Sequence, residues 1–357
     1  MNPQRRLLFL GTVFVVAVLA RLAMMPKDVT PRPGSDLDEY DTYAWNMAQG
    51  RGYRGPSPAF PDREHLTSWR MPGTSLVFAA VYKLAGHKPS AAAVVNVFMS
   101  AATCIALFFI GTKLCDERAG RMVAAVYAVW PHAIFLSTNL WSEPLYVLLL
   151  LLFVLHCFEL AERPDLRNVL LSGFLLGALL YVRPHALLLP FIGFWIILVY
   201  WPYWRKMAAA CGIFVVAALM LTPWVIRNYR VHGAFVPFTT QGGEALLVGN
   251  NRIVATDPAY YGFSLGDARA IPEYAQVRWP ERNRARQTVY ATVPTMVERK
   301  SRQVGVLAPS EVSAVLDTVP ATTEPVQPAC DALLVGTGVG VVCCPILRNA
   351  RELPART

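Results

Sequence analysis

The 357-residue chain is 54% hydrophobic and only 16% charged, with a mean hydropathy of +0.36, a balance that excludes both an ordinary soluble domain and a disordered chain. Its net charge of +9 and pI near 9.3 would suit a nucleic-acid binder, but the basic residues are scattered over short connections between apolar blocks, so no nucleic-acid partner is expected. Cys104, Cys115, Cys157 and Cys211 sit in apolar runs as small hydrophobes, no CxxC metal spacing occurs, and the adjacent Cys343 and Cys344 support no assignment.

The apolar blocks, taken in chain order, predict an all-α polytopic membrane protein with about seven spans, each near the roughly 20 residues a bilayer core requires. These are 7–25, 91–114, 121–138, 144–161, 168–181, 186–201 and 207–226. The fifth is short, and Arg183-Pro184 interrupts the run after it, so a re-entrant hairpin is the alternative to two separate spans there. Arg5 and Arg6 before the first block also fit a signal peptide. The absence of a clean small-residue cleavage site before Pro26, and Arg21 near the end of the run, favour an uncleaved anchor.

Arg5, Arg6, Lys113, Arg118, Arg121, Arg163, Arg167, Arg205 and Lys206 fall in alternate connections, which places the amino terminus in the cytoplasm by the positive-inside rule. The loop at 26–90 is then outside, and it is too long for a mere connector. Within it Tyr40, Tyr43, Ala44, Met47 and Ala48 recur at helical spacing from Asp38 to Gln49, with Gly50 as the stop. Such a segment would lie along the membrane with its apolar face in the interface. A second surface helix or short re-entrant piece is predicted over 72–84. From about Ile271 the pattern is lost, so we divide the chain into a membrane domain, 1–270, and a poorly ordered tail, 271–357, expected from a truncated or frameshifted product.

This topology brings the polar residues near span ends to one face. Asp36, Asp38 and Glu39 follow the first span, Arg70 lies in the loop, Glu143 opens the fourth span, Arg183 and His185 join the fifth and sixth, and Arg227 and Asn228 follow the seventh. Guanidinium groups hold phosphate and a carboxylate can act as a base, so the set could grip an anionic headgroup and deprotonate an acceptor. Each residue also has a structural explanation. Asp36 and Glu39 fit a capping box with Asp36 as N-cap, Glu143 before Pro144 fits a helix start, and the arginines could snorkel to lipid phosphates. By the same reasoning His185 and His132 are hydrogen-bonded at the interface, and Asp41, His65 and His87 are solvated.

The run Gly34-Ser35-Asp36-Leu37-Asp38-Glu39-Tyr40, followed by Ala44-Trp45-Asn46-Met47-Ala48-Gln49-Gly50-Arg51-Gly52-Tyr53, resembles the first outer loop of ArnT-like and protein-mannosyltransferase-like GT-C glycosyltransferases. Trp69-Arg70-Met71-Pro72-Gly73, Trp141-Ser142-Glu143-Pro144-Leu145, Tyr181-Val182-Arg183-Pro184 and Thr222-Pro223-Trp224-Val225-Ile226-Arg227-Asn228-Tyr229 are similar to later motifs of that family, in its order. The resemblance spans roughly residues 1–255 and implies sugar transfer from a polyprenyl-phosphate donor to a glycan, lipid or protein acceptor at the outer face of a bacterial inner membrane. It implies Asp36 as base, with Glu39 or Asp38 assisting, and Arg70, Arg183 and Arg227 on the donor phosphate. It also makes Asp36 and Glu39 candidate ligands of a divalent cation. Glu143, His185 and Asn228 would complete the site. The rival classes are a lipid or glycan transporter, an envelope-assembly scaffold and an inactive truncated enzyme. The near absence of charge from the middles of the spans argues against a conduction path.

Overall fold

The structure, a computed structural model, describes residues 2–57, 65–163, 165–189, 203–242, 248–249 and 253–254. The chain divides into two units, Met1–Thr240 and Gln241–Thr357, and everything below concerns the first. The expected tail, 271–357, lies outside the described residues.

The first unit is helical. Its elements are α1 (Pro3–Met24), α2 (Asp36–Ala48), α3 (Gly73–Ala85), α4 (Pro89–Leu114), α5 (Glu117–Ala128), α6 (Pro131–Ser137), α7 (Glu143–Glu162), α8 (Leu166–Val182), a 3-10 turn (Pro184–Leu188) and α9 (Tyr203–His232). Among the described residues four helices, α1, α4, α7 and the Ala208–His232 part of α9, are long and apolar enough to cross a membrane, or five if α5 and α6 form one broken span. Two of the seven expected blocks differ from a straight, full-length span. The block at 121–138 is two helices meeting at 55°, because Pro131 lacks an N–H and its ring forces the preceding Trp130 into an extended conformation. The 168–181 block becomes the 17-residue α8, short for a span. The block at 186–201 is described only as far as Leu189.

Sequence explains how the helices start and how they meet. Asn2, Asp116 and Asp165 cap α1, α5 and α8 through side-chain oxygens, and Pro lies in the first turn of α1, α4 and α7. Val13, Ala17 and Arg21, four residues apart on one face of α1, are buried against Ala101, Cys104 and Phe108 of α4 and Ala124 and Ala128 of α5. Leu7, Leu8 and Leu19 are exposed, as a lipid-facing flank requires. Small residues set the closest approaches, since in lipid helix association depends on backbone proximity. Cβ atoms on Gly173 and Gly177 of α8 would meet the Val216 and Met220 side chains of α9 at 2.6 Å.

Two short helices, α2 and α3, form the loop layer. Tyr40 and Ala44 of α2 are buried with Phe78, Ala79 and Tyr82 of α3, Ala92 and Ala93 of α4, and Leu140. The apolar face of α2 is thus covered by protein, not laid in the membrane interface as the amphipathic pattern suggested. At the start of α3, a Cβ on Gly73 would lie 2.6 Å from the Tyr181 carbonyl oxygen and 2.8 Å from its carbon. Backbone at that spot cannot yield, so Gly73→Ala is expected to destabilise the protein by about 1–3 kcal/mol. Thermal unfolding in detergent checks this, and an unchanged midpoint would show that α3 is not seated on α8.

Candidate functional site

Helical spacing places Asp36, Glu39, Tyr40 and Tyr43 on one ridge of α2. The N-cap is Ser35, whose hydroxyl accepts from the Asp38 N–H at 3.4 Å, so the expectation of Asp36 as cap is corrected. Asp36 lies one residue inside the helix and is released for other work. Asp38 accepts the Gly34 N–H at 3.0 Å and is buried, which fastens the turn before α2. Asp41, expected to be solvated, is also buried. It accepts the Tyr82 hydroxyl at 2.5 Å and meets His87 Nε2 at 3.0 Å, while the His87 ring stacks on Trp45 at 4.7 Å. His87 stays exposed, as expected, while making this contact. An uncompensated carboxylate at that depth would be costly, and the two donors remove that cost.

Arg70 reaches the ridge from the loop before α3. Its Nε donates to Glu39 Oε2 and its Nη2 to Asp36 Oδ1, both at 2.6 Å, and its guanidinium lies 5.7 Å from the Tyr40 ring centroid. The two acids differ in access, with the Asp36 side chain 48% exposed and that of Glu39 9%. Burial pushes the Glu39 carboxyl up to about 7 against the pull of Arg70, and the neighbouring Asp36 and Asp38 add to the push. Burial weakens the charge of Arg70, but Glu39, Tyr40 and Asp36 outweigh that and hold its pKa above the ordinary arginine value.

A raised acid pKa means that the folded state keeps a proton the unfolded chain gives up, so this contribution is complete below about 4.5 and is lost as pH rises through about 7. Wild type is therefore expected to lose melting temperature relative to Glu39→Gln between about pH 5 and about pH 8. Parallel melting curves would remove Glu39 as the titrating group.

A second arginine–carboxylate pair lies where α7 starts and α8 ends. Arg183 Nη2 donates to Glu143 Oε1 and, at 2.9 Å, to Ser142 Oγ, while its Nε reaches the same hydroxyl at 3.3 Å. Glu143 Oε2 is enclosed and has no hydrogen-bond partner. The guanidinium lies 5.7 Å from the Tyr146 ring, whose centroid is 5.1 Å from that of His185. Burial, and then Arg183, lower the His185 pKa, so that imidazole is neutral at pH 7. Tyr40 lies between the two pairs, with the Arg70 guanidinium over its ring and Arg183 close enough to act on its hydroxyl electrostatically. Both arginines keep Nη1 without a protein partner among the described residues.

Arg227 is placed differently. The last helix continues past Ile226 to His232, so Arg227 and Asn228 are helical, where the sequence suggested a following loop. Arg227 Nη1 donates to Thr67 O at 2.6 Å and Ser68 Oγ at 2.7 Å, and its Nη2 donates to Tyr53 O at 2.9 Å. Asn228 is fully buried. It donates to Val236 O and Phe238 O and accepts the Ser68 hydroxyl at 2.7 Å. Because that hydroxyl proton goes to Asn228, the His232 Nε2 found 2.8 Å from Ser68 Oγ acts as a donor, and the contact is no nucleophile–base pair. Arg227 and Asn228 thus clamp the loop to α9, and among the described residues neither touches an acid.

Tyr40, Tyr53 and Ser142 are the residues that sequence reasoning missed. Tyr53 donates to Arg70 O at 3.1 Å and accepts from Arg227, so it joins the loop arginine to the α9 clamp. The position of Tyr40, four residues after Asp36, held the signal, but an aromatic at that spacing read as core. Regarding a metal, Asp36 Oδ1 and Glu39 Oε2 both face a guanidinium that would repel a cation, and no cluster of three or more His, Cys, Asp or Glu ligands occurs among the described residues. The arrangement does not fit the divalent-cation site expected there.

Residues 70–226 match the profile of a known protein family, described as dolichyl-phosphate-mannose-protein mannosyltransferase. The matched segment contains Arg70, Glu143, Arg183 and His185, while the α2 acids precede it and Arg227 and Asn228 follow it. No curated protein matches the chain.

Proposed function

Starting from that likeness to membrane glycosyltransferases that use lipid-linked sugars, we propose that the chain moves a sugar from a polyprenyl-phosphate donor to a glycan, lipid or protein acceptor. The reaction is set at the extracytoplasmic face of the membrane. The observation that carries this reading is a half-exposed carboxylate, Asp36, paired with Arg70, on the side of Tyr40 from which Arg70 lies over its ring, with Arg183 held by Ser142 and Glu143 as a second arginine; each arginine keeps Nη1 without a protein partner among the described residues.

In this reading the open Nη1 groups of Arg70 and Arg183 receive the donor phosphate. Asp36 takes the proton of the acceptor as its oxygen bonds to the anomeric carbon. The bond from that carbon to the phosphate oxygen breaks on the opposite side, giving inversion, and the lipid phosphate departs with its added negative charge against the two guanidinium groups. Glu39 holds Arg70 in place and Asp38 holds the turn, which leaves Asp36 as the acid an acceptor can reach. Arg227 and Asn228 act as structural clamps.

Purified protein in liposomes, supplied with labelled polyprenyl-phosphate sugars and cell-envelope acceptors, tests the reading. Transfer of label is the expected result. Absence of transfer from every lipid-linked donor, with the protein folded, would favour the transporter or scaffold.

A further inference from the structure

Asn96 lies in the middle of an apolar face of α4, fully buried, where Ala92, Ala93, Val97, Ser100 and Ala101 are its buried neighbours. Its amide donates both N–H groups to the turn between α6 and α7, one to Asn139 O at 2.7 Å and one to Trp141 O at 2.9 Å. Its own Oδ1 has no hydrogen-bond partner among the described residues. A buried acceptor left without a hydrogen bond costs stability, and an apolar side chain would fill that face of α4 without the cost. The compensation lies in what the two N–H groups hold.

The carbonyls they hold flank Leu140, which is fully buried against Tyr40, Ala92 and Ala93. The second of them belongs to the residue directly before Ser142 and Glu143. Asn96 therefore sets the height and rotation at which the turn delivers the Ser142 hydroxyl and the Glu143 carboxylate to Arg183.

We infer that Asn96 is a positioning residue for transfer, acting through Ser142 and Glu143 to hold Arg183 in its phosphate-binding orientation. This rests on the function proposed above. The amide touches neither donor nor acceptor, and its contribution is the fixed geometry of the Arg183 half of the site, in which displacements of about 1 Å carry large rate penalties.

Asn96→Ala and the near-isosteric Asn96→Asp, which lacks the two donors, test the assignment in a double-mutant cycle with Glu143→Gln. Each Asn96 variant is expected to lower kcat/KM by roughly 10–100-fold, mainly through a higher KM for the lipid-phosphate donor, and to cost several-fold less when Glu143 is already Gln, the remainder passing through Ser142. Losses of the same size in both backgrounds would make Asn96 a general packing residue and overturn the inference, as would full activity of Asn96→Ala. Amide hydrogen exchange supplies a readout independent of turnover, with faster exchange expected over residues 138–143 in Asn96→Ala and little change in α1 or α8. Unchanged exchange there overturns the clamp itself. If wild type transfers no sugar while the local exchange effect is present, the proposed function fails and the catalytic part of the inference fails with it, whereas the clamp on the turn stands.

Discussion

Asp36→Asn is expected to lower sugar transfer by about 10²–10⁴-fold, the range over which removal of a positioned base acts, with melting temperature and membrane insertion close to wild type. The amide keeps the shape of the carboxylate and leaves an oxygen facing Arg70, so the Arg70–Glu39 contact persists and only the proton-accepting group is lost. Because the Asp36 side chain is 48% exposed, its ion pair is largely screened by water and contributes little to stability. That separation of activity from stability gives the test its force. Single-turnover transfer with labelled donor is the measurement. Retained turnover in Asp36→Asn would move the base to Glu39 or Asp38, and loss of transfer together with a collapsed melting temperature would make Asp36 structural.

Arg70→Met should have the opposite signature, with both activity and stability lost. Its guanidinium is the shared partner of Glu39 and Asp36, and the Arg70 and Glu39 side chains are 15% and 9% exposed. Breaking a buried pair by removing one partner costs about 3–5 kcal/mol, and the lower end applies because Asp36 stays half solvated. The Glu39 carboxyl already sits at about 7 beside Arg70, so without Arg70 it takes up a proton at neutral pH, and adding Glu39→Gln is expected to restore part of the melting temperature only at pH well above about 7, without restoring transfer. Arg70→Lys is expected to retain more stability than Arg70→Met but to transfer poorly, since an ammonium cannot face both carboxylates and keep a planar arm open. A difference between the single and double variants that is the same at about pH 6 and at alkaline pH would show that Glu39 does not take up a proton when Arg70 is removed.

Much of this site was legible along the chain. The apolar blocks, the basic alternation and the clustering of Asp36, Glu39, Arg70, Glu143 and Arg183 at one set of helix ends all follow from periodicity and the dimensions of a bilayer. Pairing was not legible. Three acids precede Tyr40 and three arginines stand far away in sequence, and no spacing rule says that Arg70 takes Asp36 and Glu39, that Arg183 takes Glu143, or that Arg227 spends its donors on Thr67, Ser68 and Tyr53. Asp41 and His87 show the limit most clearly. Each is an unremarkable polar residue in sequence, and each is held by side chains from another segment once α3 folds onto α2.

The sequence by itself determined that this is a helical membrane protein with acids and arginines gathered near the ends of its apolar blocks, because hydropathy and helical period are local properties. Only the tertiary structure decided the burial and partner of each charge. Those depend on which helix faces approach, as where Gly73 admits the end of α8, Leu140 fills the space beneath Tyr40, and Asn96 holds the turn that presents Glu143. Charge is read residue by residue, but its consequence is set by the dielectric and the donors around it, and distant segments supply both.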